Sequence, residues 1–220
     1  MNQVLRHRSR KGDEFEPAWD IAYLFPSQGS WTEEEYLALD GNYLVEFDDG
    51  FIEVLPMPTT SHQLIIGYLY GLLISFLSRR KLGTVLFAAL RVRLWPRKFR
   101  EPDLVFLLKQ HQDRMGDEFW EGADLVMEVV SGGAKDRHRD LVTKRREYAR
   151  AGIPEYWIVD PREGRITVLR LAGKRYAVHG VYSKGQTASS VLLPGFTVDV
   201  KEVFSHQLAK NGPGRQKGKP

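Results

Sequence analysis

Three short, continuous apolar segments constrain the fold of this 220-residue chain more than any other feature. They read PDLVFLL at residues 102–108, DLVMEVV at 124–130 and EYWIVDP at 155–161. Runs of this length without a polar residue at every second position are typical of strands buried on both faces. The sequence therefore predicts a sheet whose central strands are covered by other elements on each side.

One residue in the second segment does not fit an apolar strand. Glu128 lies between Met127 and Val129, where an ionised carboxylate costs several kcal/mol unless a cation, a metal or hydrogen bonds compensate it. We therefore expect a compensating group close to Glu128.

Helical patterns flank these strands. Residues 62–81, HQLIIGYLYGLLISFLSRRK, have apolar residues at helical spacing, and Ser61 or Thr60 could cap a mostly buried helix. Residues 135–152 predict an amphipathic helix that ends at Gly152, and TVLFAALRVRLW at 84–95 predicts one more strand. The order helix, strand, strand, strand, helix, strand is that of an α/β (α+β) domain around a mixed sheet.

Further elements are predicted on both sides of this core. Residues 31–39 form a short helix with a capping box of Thr32 and Glu35, and residues 43–55 form a β-hairpin around Asp-Asp-Gly. Hairpin-like segments from residue 164 onward form a C-terminal β extension. We expect one domain at 31–204, a partly disordered basic segment at 1–30 and a disordered basic tail at 205–220.

Composition excludes several classes of protein. The chain has no cysteine, which rules out disulfides, thiolate metal sites and a cysteine nucleophile. We expect no apolar run to approach the roughly 18 residues that a membrane span needs, and therefore a cytoplasmic protein without a membrane partner. The formal net charge is +4, but the basic residues are concentrated in the two ends and the middle is net acidic. No basic stripe therefore identifies the core as a nucleic-acid binder.

Two carboxylates and a lysine form a recognisable chemical unit. Asp103 opens one predicted central strand, Glu128 lies in the next, and Lys144 shares a helix face with Leu141 and Tyr148. Carboxylate oxygens are the ligands that Mg²⁺ prefers, and a nearby ammonium group stabilises negative charge that develops on a phosphate.

The chain resembles a known bacterial family of restriction-endonuclease-like proteins. The shared motifs are EPDLVFL, DLVMEVVS, the D-x-x-x-K spacing of Asp140 and Lys144, and YARAGIPEYWIVDP, within a resemblance spanning about residues 31 to 204. The family belongs to the PD-(D/E)xK nuclease superfamily. The resemblance implies a restriction-endonuclease-like αβββαβ core and a metal-dependent endonuclease that hydrolyses phosphodiester bonds in DNA. It also implies Mg²⁺ or Mn²⁺ as cofactor, and cutting both strands of a duplex would suit a homodimer.

The resemblance also implies roles for individual residues. Asp103 and Glu128 would be catalytic metal ligands and Lys144 would be catalytic, with Asp140, His62 and Glu46 in support. One position departs from the superfamily pattern, because Val130 stands where a lysine is expected two residues after the glutamate. In the resembling family the lysine has moved to the next helix, the place of Lys144.

Each of these residues also has a structural interpretation. Glu128 could pair with Lys144 without a metal, and Asp103 could make a turn with Glu101. Asp140 could pair with Lys144 or Arg137. In the first turn of its helix, His62 would be neutral and could either cap the helix or contact a metal-bound water or phosphate.

Three more charged residues have two possible roles each on sequence alone. Glu46 could be a surface charge of the hairpin or could approach the metal. Arg91 and Arg93 could face a phosphate backbone or solvent.

The sequence is also compatible with two functions other than nuclease activity. The first is a catalytically inactive module that binds nucleic acid or protein and retains the nuclease fold. The second is an enzyme of small phosphorylated or carbohydrate substrates, although the chain lacks a glycine-rich phosphate loop.

Overall fold

The computed structural model describes residues 25–39 and 43–208. Residues 1–24 of the predicted N-terminal basic segment and residues 209–220 of the predicted tail lie outside them, so the disorder predicted there is not addressed. The helices are α1 Glu33–Leu37, α2 Thr60–Ser78, α3 Ala134–His138, α4 Lys144–Arg150 and α5 Val200–Ser205. The strands are β1 Val45–Asp48, β2 Phe51–Val54, β3 Gly83–Phe87, β4 Val92–Trp95, β5 Lys98–Arg100, β6 Leu104–Leu108, β7 Trp120–Glu121, β8 Leu125–Val129, β9 Glu155–Asp160, β10 Arg165–Ala172, β11 Arg175–Ser183, β12 Thr187–Ser189 and β13 Thr197–Asp199.

The first described elements follow the local sequence signals. The Thr32 side chain accepts a hydrogen bond from the Glu35 backbone, and the Glu35 side chain accepts one from the Thr32 backbone, so the predicted capping box is confirmed. Strands β1 and β2 form the predicted antiparallel hairpin. Its turn uses Asp49 and Gly50 at positive φ, a conformation that glycine adopts at no steric cost.

The predicted mixed α/β architecture is confirmed, but the strands form two larger mixed sheets instead of one. A five-stranded sheet has the order β2-β1-β5-β4-β7, and a six-stranded sheet has the order β11-β10-β9-β8-β6-β3. In the six-stranded sheet β6 pairs antiparallel with β3 and β8, whereas β8 and β9 are parallel. Strands β12 and β13 form a separate pair.

Residues 84–95 do not form the single strand that the sequence predicts. Strand β3 lies at the edge of the six-stranded sheet, and β4 belongs to the five-stranded sheet. The chain bends at Ala88 and Ala89 between them. An apolar run can enter two sheets without a local break in its pattern, because the buried residue of each half, Val85 or Val92, packs into a different core.

The three apolar segments form the central strands β6, β8 and β9, as predicted. Alternate residues enter two separate cores, because neighbouring side chains of a strand point to opposite faces. Leu104, Phe106 and Met127 pack with Leu69 of α2 on one face. Val105, Leu107 and Val126 pack with Tyr148 of α4 on the other face. Along the chain, α2, β3, β6, β8, α4 and β9 follow the predicted order, with β4, β5 and β7 inserted into the second sheet.

Helix α2 differs from its prediction at its cap and in its burial. Thr59 caps the helix because its hydroxyl oxygen accepts a hydrogen bond from the His62 N–H; it lies one residue before Thr60 and two before Ser61, the expected caps. Its buried residues lie on one face, whereas Leu64 and Ile74 are 40% and 42% exposed, so the expectation of a mostly buried helix is wrong.

The expectation that no apolar segment is long enough to span a membrane is also wrong. By length and composition, Thr60–Ser78 would be sufficient to cross one. Core helices of water-soluble proteins meet the same criterion. Here Ile65, Leu69 and Leu73 of this helix are fully buried in the first core.

The predicted amphipathic helix at 135–152 is interrupted. Helices α3 and α4 are joined by a π-helical segment at Arg139–Thr143, in which the Lys144 N–H donates to the Arg139 carbonyl. A π segment inserts an extra residue into a helix and is frequent at functional sites. Gly152, at a φ of 80°, follows the end of α4 as predicted.

Candidate active site

Asp103 and Glu128 lie opposite each other on neighbouring antiparallel strands. The register pairs Leu104 with Met127, and its extension by one position pairs Asp103 with Glu128. Directly opposite residues of such a pair have Cβ atoms roughly 4.5–5.5 Å apart. Both side chains point to the face that α4 covers and line the same cavity. The structure therefore brings the two predicted metal ligands together.

The buried carboxylate of Glu128 has the compensating partner that its surroundings require. Glu128 is 3% exposed. Its Oε1 accepts hydrogen bonds from Lys144 Nζ at 2.8 Å and from the Tyr148 hydroxyl at 2.6 Å. Both donors lie on the helix face predicted from their spacing. Burial nevertheless raises the pKa of Glu128. The negative charges of Asp103 and Asp140 raise it as well, and Lys144 only partly offsets these effects.

Asp103 is held by the neighbouring strand and by His62. Its Oδ2 accepts a hydrogen bond of 2.7 Å from the Val129 N–H and lies 3.2 Å from His62 Nε2. The same His62 nitrogen lies 3.1 Å from the Val129 carbonyl oxygen. Because two acceptors face this nitrogen, it carries a proton and fixes the orientation of Asp103.

The surroundings of His62 act against the effect that the helix dipole alone would have on its pKa. Burial works against the charged imidazolium, but the hydrogen bond and the charge of Asp103 together with the Val129 carbonyl raise the pKa of His62 overall. His62 is therefore a positioning partner of Asp103, and Thr59 is the helix cap.

Lys144 belongs to a buried chain of alternating charges. Its Nζ lies 3.1 Å from Glu46 Oε1, and Glu46 is also bound by Arg100 at 2.7 Å. Arg100 in turn binds Glu147 through two hydrogen bonds. Burial opposes the charge on Lys144, but Glu128, Glu46 and Asp140 raise its pKa overall, so Lys144 stays protonated.

Glu46 is a buried ion-pair residue of β1 and not a surface charge. It is 1% exposed, and Lys144 and Arg100 lower its pKa despite its burial. It is not among the residues that line the cavity beside Asp103. It contacts the candidate site through Lys144, which links the five-stranded sheet to Glu128 on the six-stranded sheet, and its Oε1 also accepts a long hydrogen bond of 3.5 Å from the Glu101 N–H.

Asp140 lies close to Lys144, but its ion-pair geometry is loose. Its Oδ1 is 3.9 Å from Lys144 Nζ and 3.5 Å from Arg139 Nε. The pairing of Asp140 with Arg137 that the sequence left open is wrong, because Arg137 forms two hydrogen bonds with Asp160. Asp140 and Arg139 both line the cavity.

The cavity between these residues is small. Its volume is ≈50 Å³, which exceeds the roughly 10–15 Å³ needed for one water and leaves space for an ion with a few waters. A nucleotide cannot enter such a space, so a phosphate group would have to approach through its mouth.

Glu101 is a site residue that the sequence analysis did not assign. It lines the same cavity and is 5% exposed, and its buried Oε2 has no hydrogen-bond partner in the part of the chain that the structure describes. Burial raises its pKa to about 7. The signal was present in the sequence, because residues two apart in an extended segment point to the same side and Glu101 stands two before Asp103.

The two arginines considered for phosphate contacts are engaged in the fold. Arg91 donates to the Leu37 and Leu39 carbonyl oxygens, and Arg93 contacts Glu33 and Glu121. Their alternation along the sequence gave no sign of these partners, which lie in α1 and β7 or beside them.

The residues at the cavity suit a hard divalent cation by their chemistry. Asp103, Glu128 and Glu101 offer carboxylate oxygens, and the unpartnered Oε2 of Glu101 is a buried acceptor that a cation would compensate. Within residues 25–39 and 43–208, no three His, Asp or Glu side chains already form a metal-binding cluster. The carboxylate ligands at the cavity therefore fit a divalent cation, and side chains would have to move to complete its coordination.

The raised pKa values predict how stability depends on pH without divalent ions. The unfolded carboxylates ionise near pH 4.3, whereas Glu101 ionises at about 7 in the fold. The folded state holds the extra proton in this window, so its stability falls as pH rises from about 5 to 8. Glu128 and His62, whose pKa values are also raised, act in the same direction.

We expect the thermal midpoint in EDTA to be lower at about pH 8 than at about pH 5.5, with a smaller difference in Glu101→Gln. Mn²⁺ should raise the midpoint more at the higher pH, because its ligands are then ionised. Differential scanning fluorimetry measures both effects. A midpoint that rises steadily with pH in EDTA would contradict the pKa assignments.

The fold is shared with a crystal structure described as a putative nuclease belonging to DUF820 from Anabaena variabilis. The TM-score is 0.65 at 18% sequence identity, and the match covers 81% of this chain and 99% of that chain. No curated protein matches this chain.

The family is given by a match over residues 33–201 to the model "Uma2: Putative restriction endonuclease". This chain belongs to the Uma2 family. The resemblance identified from its motifs is thereby confirmed.

Proposed function

We propose that this protein is a metal-dependent endonuclease that hydrolyses phosphodiester bonds in DNA. The convergence of Asp103, Glu128 and Lys144 at one cavity is the observation that carries the proposal. Membership of a family whose model is described as "Putative restriction endonuclease" supports a nucleic-acid substrate. The order of α2, β3, β6, β8, α4 and β9 supports assignment to the PD-(D/E)xK superfamily with its αβββαβ core.

Asp103 and Glu128 would hold one or two Mg²⁺ or Mn²⁺ ions. Their uncommitted oxygens are Oδ1 and Oε2, since the described hydrogen bonds of both carboxylates use the other oxygen. A bound divalent cation supplies Lewis-acid stabilisation of the negative charge that develops on a phosphate during hydrolysis. The Val129 N–H and His62 keep Asp103 oriented toward the cavity, so its oxygen need not reorganise.

Lys144 would act by charge and position and not as a base. Three carboxylates surround its ammonium group and keep it protonated. A fixed positive charge beside Glu128 stabilises a phosphate that gains negative charge, in a site from which water is largely excluded. Asp140 would support the ammonium group, and Glu46 would hold it from the opposite side.

The lysine position weighs against an inactive binding module. Val130, which replaces the expected lysine, is buried with Val126 and Tyr148 in the second core. Lys144 nevertheless brings its ammonium group to 2.8 Å from Glu128. The three residue types are thus brought together from different backbone positions.

The experiment that tests the proposal incubates the purified chain with supercoiled plasmid, single-stranded DNA and RNA, each with Mn²⁺ or EDTA. Nicking of plasmid DNA in Mn²⁺ but not in EDTA is the expected result. Asp103→Asn should abolish it. Cleavage that persists in this variant would identify a contaminating nuclease and overturn the proposal. Cation binding without cleavage of any of the three substrates would also overturn it.

A further inference from the structure

A second concave surface, separate from the acidic cavity, lies on the other side of α4. It is a groove of ≈690 Å³ between α4 and the turn that joins β10 to β11. Four basic residues line it, Arg145 and Arg146 from the helix and Lys174 and Arg175 from the turn. We call it the basic groove. Among residues 25–39 and 43–208, no acidic side chain lines it.

The four charges of the basic groove lack counterions within the fold. In the described part of the chain, no Asp or Glu forms a salt bridge with any of them; Arg145 is half-buried, and Arg146, Lys174 and Arg175 are exposed. The only described polar contact is a long one of 3.5 Å from Arg145 to the Tyr176 carbonyl oxygen. Unpaired like charges in a shared concave surface repel one another, and an anion would relieve this repulsion.

Helix α4 separates the groove from the acidic cavity and contributes residues to the surroundings of both. Lys144 points to Glu128, and the next two residues turn away by about 100° each, which directs Arg145 and Arg146 to the groove. A helix with its side chains is about 10–12 Å wide. Duplex DNA carries about one negative charge per 1.7 Å of its axis, so a duplex extending across this helix presents several phosphates to the groove.

We infer that the basic groove binds the sugar-phosphate backbone of a nucleic acid. The inference rests on the proposed function and names where its substrate is held. The acidic cavity itself repels a polyanion, whereas the groove supplies attraction independent of divalent ions and base sequence.

The test measures binding of a short fluorescent DNA duplex by anisotropy in EDTA, over a series of salt concentrations. The variant Lys174→Glu/Arg175→Glu changes one end of the β10–β11 hairpin. Its matched control, Arg165→Glu/Lys184→Glu, makes the same charge change at the other end, where both residues are also exposed. All proteins keep the same basic ends of the chain, so any contribution from those ends cancels.

We expect the groove variant to bind the duplex at least about tenfold more weakly. Its slope of log K against log salt should be about two units less negative than that of the wild type. The control should remain close to the wild type. Arg146→Gln/Lys174→Gln removes charge without reversing it and should show the same trend. This variant tests the groove in case the reversed charges disturb folding.

Three results would overturn the inference. They are equal weakening in groove and control variants, wild-type affinity in both groove variants, and binding of phosphatidylserine vesicles without binding of the duplex. Because EDTA separates binding from cleavage, a protein that cleaves plasmid but is unaffected by groove variants retains the proposed function. A protein that binds DNA through the groove but never cleaves it retains the inference alone.

Discussion

Replacing Lys144 by methionine is expected to lower the free energy of unfolding by about 3–5 kcal/mol. The substitution leaves the buried carboxylates of Glu128 and Glu46 without their shared cation, and both are at most 3% exposed. For a chain of this size the thermal midpoint should fall by roughly 6–20 °C. Chemical denaturation followed by circular dichroism measures the change.

A matched salt bridge on the surface provides the control. Lys135 lies 2.7 Å from Glu53, but its side chain is 83% exposed. Lys135→Met should therefore cost only about 0–1 kcal/mol. The double variant Lys144→Met/Glu128→Gln should recover part of the loss, because the charge left unpaired on Glu128 is removed as well. Equal losses in Lys144→Met and Lys135→Met would mean that Lys144 is not in a buried ionic network.

Replacing Asp103 by asparagine is expected to abolish cation-dependent function while the fold survives. Asparagine can still accept the Val129 N–H but cannot offer a charged oxygen to a cation. Loss of a metal ligand should exceed the roughly 10–100-fold effect of removing an outer partner. Cleavage rates of plasmid DNA and Mn²⁺ titration calorimetry check the two parts of this prediction.

Asp124 offers a close control for Asp103 at the opposite end of the β6–β8 pair. Its Oδ2 accepts a hydrogen bond from the Leu108 N–H and lies 2.8 Å from His111 Nδ1, as Asp103 does with Val129 and His62. It does not line the acidic cavity. Asp124→Asn should lose similar stability but retain Mn²⁺ binding and cleavage. If both variants lose cleavage equally, the effect of Asp103 is structural.

Local patterns predicted the individual elements well where neighbours in the chain decide the outcome. The capping box of Thr32 and Glu35 involves residues three apart, and the hairpin turn depends on Asp49 and Gly50. The sequence also indicated that Glu128 needs a partner and that Lys144 and Tyr148 share a helix face. These predictions succeeded because helix and strand periodicity place such residues on one side whatever the fold.

Predictions failed where two distant segments decide the environment. The apolar run at 84–95 gave no sign of entering two sheets, since burial of both halves looks the same in sequence. The upward shift of the His62 pKa was not foreseen because only its helix was considered, whereas Asp103 and the Val129 carbonyl come from neighbouring segments of the sheet. Glu46 was weighed as a surface charge because the hairpin pattern does not reveal Arg100 and Lys144.

The sequence by itself determined the buried strands, their flanking helices and the need of Glu128 for compensation, because these follow from periodicity and from the cost of burying charge. Only the tertiary structure decided which charges meet: Asp103 opposite Glu128, Glu101 in the same cavity, and Arg145 and Arg146 beside Lys174 and Arg175. Strand register and helix packing set these encounters, and both depend on contacts between residues tens of positions apart in the chain.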